Sequence, residues 1–242
     1  MERNSNYVIV NSDLYKKFRP DAEEIMQKDP TNFGALTGID CYDHANNVID
    51  FATTMGYNLL MECAPSVKDG LIGVDLLRLQ QHQYFTKFHV LAVGDLISAL
   101  AIHYRYELEI ENGLLNQGAK LTDLKRHDES YKAVEQVVRE LPPRTVTIYR
   151  RGTAQENRVP ISLSNVVPRE EISTITNLRL LRNARDKSNF EYVSKSNDNN
   201  FESDYKTIKY LMNNRNAPKA QVMQLEEVYN KYLNFLGKQA SK

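Results

Sequence analysis

Four short apolar runs, each bounded by turn residues, alternate along the chain with stretches of helical period, and this alternation narrows the possible folds more than any other feature. The runs occupy residues 7–10, 57–63, 88–94 and 145–149 and are rich in strand formers. Between them, residues 42–55, 71–84, 96–111 and 124–141 place apolar side chains at helical spacing, with Gly56, Gly113 and the Pro142-Pro143 pair as stops. Strands that are apolar almost throughout belong in a parallel sheet buried under helices on both faces, so the expected fold class is α/β. Sheets of that kind meet their ligands at the carboxyl ends of the strands. Residues that follow the apolar runs are therefore the first place to look for chemistry.

The 242 residues, 41% of them hydrophobic, suffice for one main domain with its own core and a helical appendage. The opening Met-Glu-Arg-Asn-Ser-Asn-Tyr-Val-Ile-Val lacks the charged start and apolar stretch of a signal peptide, and no later run has the length of a membrane helix. The expected compartment is the cytoplasm, with no membrane partner. Cys41 and Cys63 are too few for a disulfide framework and lie in no zinc-type array, so both read as buried thiols and no metal ligands are assigned. Lys and Arg total 31, as do Asp and Glu, but residues 1–150 carry 16 basic against 21 acidic and residues 151–242 carry 15 against 10. That mild basic excess, without a recognition motif, reads as solvated surface and not as a nucleic-acid interface.

Beyond Gly152 the pattern changes to a strand pair or loop near 159–163, then a polar Asn- and Ser-rich region at 187–204. Two helices, 202–213 and 219–236, are expected to close the chain. In the first of them Tyr205, Ile208, Leu211 and Met212 recur at helical spacing and need burial. The expected division is residues 1–152 as the main domain and residues 153–242 as a C-terminal extension.

Asn11-Ser12-Asp13 directly follows the first run, so Asp13 falls at a carboxyl end; it reads either as a helix N-cap or as a catalytic carboxylate. Glu62 ends the second run, where a buried carboxylate needs a partner such as a metal-bound water, a substrate hydroxyl or a basic group. Together the two could activate a hydroxyl or orient magnesium. Arg105 lies among Tyr104, Tyr106, Glu107 and Glu109 and reads as a surface ion pair or as the opposite charge such a site requires. Residues 113–122, with two glycines and Lys120, have the composition of a lid, followed by Lys125, Arg126 and His127. Arg150 and Arg151 follow the fourth run and read as a solvated pair or as contacts to a nucleotide.

In order, the segments VIVNSDLYKKFRP, MGYNLLMECAPS, KFHVLAVGDLISALAIHYRYE, AKLTDLKRHDESY and TVTIYRRG resemble the zeta toxin family over residues 6–152. That resemblance implies a P-loop kinase-like sheet and an ATP- or GTP-dependent kinase, with magnesium, that phosphorylates the 3'-hydroxyl of UDP-N-acetylglucosamine. It also implies a small helical antitoxin as partner. Carried onto this chain, it makes Asp13 the catalytic base, Glu62 the strand-end glutamate and Arg105 a nucleotide clamp. A second clamp falls on Lys120, which keeps the charge but lacks the planar fork of arginine; His127-Asp128 also matches. The chain departs from the family at Cys63-Ala64-Pro65-Ser66, where the toxins carry Gly-Thr-Gly-Arg, so another hydroxylated acceptor is an open alternative. It departs further in having no G-x-x-x-x-G-K-[ST] run anywhere. The expectation is a sheet without its first strand, phosphate loop and following helix, inactive as this chain stands. The alternatives are a longer kinase and a pseudokinase or protein-interaction module of a toxin-antitoxin system.

Overall fold

The computed structural model describes residues 7–29, 33–62, 76, 78–113, 121–122, 124–152, 156, 159–194 and 200–240. β1 (Tyr7–Val10) runs parallel to β2 (Asn58–Met61), with Tyr7 opposite Asn58 and Val10 opposite Met61. β3 (Phe88–Ala92) runs parallel to β4 (Val146–Arg150), and a short β5 (Ile161–Ser162) adds antiparallel to β4. The parallel α/β pattern of the sequence is present. Among the described residues, however, the strands form two sheets, β1-β2 and β3-β4-β5, and the break falls between β2 and β3.

Alternation along each strand decides what is covered. Val8, Val10, Leu59 and Met61 pack against Ala45, Val48 and Ile49 of α3 (Gly38–Thr54). On the opposite face Tyr7, Ile9 and Leu60 stay 46%, 50% and 51% exposed, so this pair is covered on one side only by the described elements. In the second sheet Val90, Ala92, Val146 and Ile148 close over Val138 of α5 (Leu124–Glu140) and Leu181 of α6 (Thr174–Ser194). Each fully buried side chain of this size stabilises the fold by about 1.5–3 kcal/mol. Leu91 points away from that core and is 56% exposed.

α4 (Asp95–Glu111) follows β3 and joins the sheet layer to the C-terminal helices α7 (Phe201–Asn214) and α8 (Lys219–Ala240). Leu96, Ala99 and Leu100 of α4 share a core with Phe201, Tyr205, Ile208, Met212, Leu225, Val228 and Tyr232, in which the Phe201 and Tyr232 rings stack at 4.1 Å. Tyr205, Ile208, Leu211 and Met212 are all buried, as their spacing requires. At the α7–α8 turn, Arg215 donates two hydrogen bonds of 2.6 Å to the carboxylate of Glu107, which is 1% exposed. A buried carboxylate of this kind is tolerable only with such a bidentate partner.

The sequence reading misses α6, which runs through Ser194 into the segment read as polar. Its buried face carries Asn177, Arg185 and Asn189 beside Leu181, so no apolar period marks it. Those polar groups are matched locally: Asn177 donates to the carbonyl of Pro143 at 2.9 Å, and Asn189 donates to Asp95 at 2.6 Å. The Arg185 guanidinium lies 4.4 Å from the centre of the Tyr131 ring. Two shorter helices, α1 (Ala22–Lys28) and α2 (Phe33–Leu36), lead into α3, and Arg19 bridges Asp21 and Asp40 at 2.5 Å each to hold that turn. Cys41 is buried as expected; Cys63 and residues 71–75 and 77 of the helix expected over 71–84 lie outside the described residues, and the described part is helical at 76 and 78–81.

Candidate functional site

β1 ends at Val10, and the chain turns at once into a 3-10 segment, Ser12–Phe18. The cap of this segment is Asn11, in extended conformation, whose side-chain oxygen accepts the N–H of Asp13 at 2.9 Å. Asp13 is therefore not the N-cap that one sequence reading made it. Asparagine takes that role because its amide reaches the free N–H two residues on. The Asp13 carboxylate lies in the first turn, 2.7 Å from the Lys16 ammonium, with its side chain 75% exposed.

The other half of the Asn11 amide faces the neighbouring strand end. Its Nδ2 donates to Oε2 of Glu62 at 3.0 Å, while the Glu62 N–H donates to the Val10 carbonyl at 3.0 Å and extends the β1-β2 ladder by one residue. One side chain thus links the backbone of Asp13 to the carboxylate of Glu62 and draws both acidic residues to the carboxyl end of the β1-β2 pair. Glu62 is exposed, which corrects the expectation of a buried carboxylate: the strand stops at Met61, and the next residue has already left the packed face. The sequence reading assigned no role to Asn11. Its position between a strand end and an aspartate was the available signal.

The remaining assigned residues do not join this pair. Arg105 is on α4, two-thirds exposed, with its Nε 3.8 Å from Oε1 of Glu109 on the following turn. The buried stripe of α4 is Leu96, Ala99, Leu100, His103, Tyr106 and Glu107, which turns Arg105 outward. Among the described residues no hydrogen bond or ion pair links it to Asp13 or Glu62. Lys120 and the departure at residues 63–66 lie outside the described residues. Arg150 forms a bidentate pair with Glu156 at 2.6 and 2.8 Å, an ion-pair role of the kind weighed for it.

His127-Asp128 belongs to a different, largely buried network at the end of β3. Lys231 of α8 reaches Asp128 at 2.6 Å and Asp95 at 2.9 Å, tying the C-terminal helix to the first residue of α4. The His127 ring packs 4.8 Å from Tyr131, whose hydroxyl donates to the carbonyl of Val93 at 3.0 Å. Burial pushes the His127 imidazole below its ordinary range, against the pull of Asp128. These groups hold elements together.

No G-x-x-x-x-G-K-[ST] run occurs in the sequence, and among the described residues no group of three or more His, Cys, Asp or Glu side chains is placed to hold a metal ion. What the strand ends offer is two solvent-facing carboxylates and a bridging amide, groups suited to gripping and deprotonating a hydroxyl.

Parallel strand pairs under helices, with acidic residues at one pair of strand ends, define an α/β fold of the class that meets its ligands at the carboxyl ends of its strands. Within it, the zeta toxin family model matches residues 1–157, and the chain belongs to the zeta toxin family. Among solved structures, a chain from the PezAT chromosomal toxin-antitoxin system of the human pathogen Streptococcus pneumoniae is similar at a TM-score of 0.51 and 20% identity. The similarity covers 78% of this chain and 77% of that one, and it establishes a shared fold. No curated protein matches the sequence. No described helix is long and apolar enough to cross a membrane.

Proposed function

We propose that this chain provides the acceptor side of a small-molecule kinase of the zeta toxin type, taking the hydroxyl of a sugar nucleotide such as UDP-N-acetylglucosamine. The observation that carries the reading is the Asn11 bridge, which holds Asp13 and Glu62 at adjoining strand ends. Asp13 accepts the proton of the attacking hydroxyl, and Lys16 fixes its carboxylate while leaving most of it open to an incoming substrate. Glu62 and Asn11 position the sugar through hydrogen bonds. ATP or GTP with magnesium would supply the phosphoryl group, and the sequence has no G-x-x-x-x-G-K-[ST] run to cradle it, so the chain by itself is expected to bind acceptor without transfer.

The test is thermal unfolding with UDP-N-acetylglucosamine, with UDP, and with ATP or GTP plus magnesium, alongside a phosphoryl-transfer assay. The expected outcome is stabilisation by the sugar nucleotide, amounting to about 2.7 kcal/mol at a hundredfold excess over the dissociation constant. Asp13→Ala and Glu62→Ala should remove it, and the chain alone should show no transfer. Absence of a shift with the sugar nucleotide at millimolar concentration overturns the reading.

A second reading, a protein-interaction module of a toxin-antitoxin system, is favoured by the outer side of α3. There Ile39 and Tyr42 near its start, and Phe51 and the capping Met55 at its end, are 76%, 46%, 60% and 53% exposed, apolar groups that a helical antitoxin would cover. The related PezAT chain comes from such a system.

A further inference from the structure

α5 and α6 pack side by side over the β3-β4 core, and their seam gathers three arginines around one carboxylate. Glu135 of α5 accepts from Arg182 of α6 in a fork, Nη2 to Oε2 at 2.6 Å and Nε to Oε1 at 3.3 Å. Arg139, on the next turn of α5, comes no nearer than 3.5 Å to Oε2, and Nη1 of Arg185 no nearer than 3.5 Å to Oε1. The hydrogen bond from Arg182 holds the Glu135 carboxyl below its ordinary range. A guanidinium has five N–H donors and a carboxylate about four acceptor positions, so a carboxylate forked by Arg182 cannot also satisfy the other two.

Arg185 shows the shortfall most plainly. It is 8% exposed, and its Nε finds no hydrogen-bond partner among the described residues. Burial works against its charge, Tyr131, Glu135 and Asp95 favour that charge, and Arg182 opposes it. Asp95 is already engaged by Lys231 at 2.9 Å and by the Asn189 amide at 2.6 Å. Asp186 acts on Arg182 through space, but among the described residues no hydrogen bond or ion pair joins the two. A buried guanidinium with an idle N–H is costly to the fold and is ready to take an acceptor.

A ligand can reach this seam, because the side chains of Arg139 and Arg182 are half exposed. Arg185 lies on the ring of Tyr131, whose hydroxyl donates to the carbonyls of Val93 and Gly94 at 3.0 and 3.3 Å. The arginines thus adjoin the carboxyl end of β3, the end at which parallel α/β sheets meet ligands.

We infer that Arg139, Arg182 and Arg185 form a binding site for a phosphate dianion, free or as the monoester of a small molecule, with the Glu135 carboxylate as an internal counter-ion that yields to it. Three guanidiniums against one carboxylate leave two positive charges over, which a dianion matches and a second carboxylate does not. The planar fork of arginine grips phosphate oxygens in pairs, and the terminal oxygens of the dianion are enough to take the idle Nε–H of Arg185 together with the loosely held Arg139. The site shares no residue with the Asp13–Glu62 pair and does not depend on the activity proposed for that pair.

The test is a titration of the whole chain with inorganic phosphate and, separately, with phenyl phosphate, at constant ionic strength set by sodium chloride. The Nε–H resonances of Arg139, Arg182 and Arg185 are followed by NMR, and thermal unfolding is measured in parallel. Saturable shifts of these resonances and a rise in Tm are expected. A response to both ligands assigns the site to a monoester, and a response to inorganic phosphate alone assigns it to the free ion. Arg182→Gln is expected to weaken binding by about tenfold or more, while Lys28→Gln, which removes a charge from α1, leaves it unchanged. Glu135→Gln, which removes the competing charge and keeps the shape, is expected to tighten it by about tenfold. No saturable shift in the unaltered chain up to roughly 10 mM phosphate overturns the inference. Equal stabilisation of the unaltered chain and Arg182→Gln does so too, because phosphate then acts only through its general exclusion from protein surfaces. Weaker binding by a folded Glu135→Gln also overturns it, since the carboxylate would then be building the arginine cluster and not occupying it.

Discussion

His103 sits on the buried stripe of α4 at 2% exposure, and its Nδ1 finds no hydrogen-bond partner among the described residues. Burial disfavours the charged ring and pushes its pKa down from 6.5 to about 4. The unfolded chain therefore takes up the proton first as pH falls. Stability from this residue is complete above about pH 6.5 and drains as the pH drops toward 4, by roughly 3 kcal/mol in all. His103→Leu, an apolar replacement of similar size, should flatten the fall of urea-unfolding free energy across that window; an unchanged slope would show that His103 is not its source. His127, shifted the same way by burial, keeps its own part of the slope in that variant. The residue scale is also where the site was partly legible. Asp13 and Glu62 stand out as acids following apolar runs, whereas Asn11 is identified only by the two bonds its amide makes, one to Asp13 two residues on and one to Glu62 across a sequence separation of 51.

At the scale of elements, Gly94 shows how closely α6 approaches the β3–α4 junction. A Cβ there would lie 2.1 Å from Oδ1 of Asn189 and 3.0 Å from the Asn189 backbone nitrogen. The side chain cannot simply swing away, because that same oxygen accepts the N–H of Leu96 at 3.2 Å and the amide nitrogen donates to Asp95. Gly94→Ala should cost about 1–3 kcal/mol in urea unfolding, and much of that loss should disappear in an Asn189→Ala background. Additive costs would mean that the contact is not the cause. α6 escaped the sequence reading for the same physical reason: a helix held by asparagine and arginine bonds to particular neighbours carries no apolar period. By contrast α5 and α7 bury regular apolar rows, and their extents, Leu124–Glu140 and Phe201–Asn214, match the spacing within a residue or two at each end.

For the whole molecule the decisive contacts are those that fasten the C-terminal helices to the sheet layer. Lys231, about a quarter exposed, lies between Asp95 and Asp128 and offsets two carboxylates that would otherwise repel. Lys231→Met should lower stability by about 2 kcal/mol, and adding Asp128→Asn should restore part of it, as measured by thermal unfolding. If the double variant is no more stable than the single one, uncompensated charge is not the reason. The sequence alone determined the order of the main strands and of the helices with an apolar period, the apolar faces that had to be buried and the acidic strand ends, because these follow from local periodicity and from which residues come after a strand. Only the tertiary structure decided that the strands divide into two sheets among the described residues, that Asn11 joins Asp13 to Glu62, that Arg105 faces solvent and that α7 and α8 close over α4. Each of these depends on groups far apart in sequence meeting in space, and no local pattern encodes such a meeting.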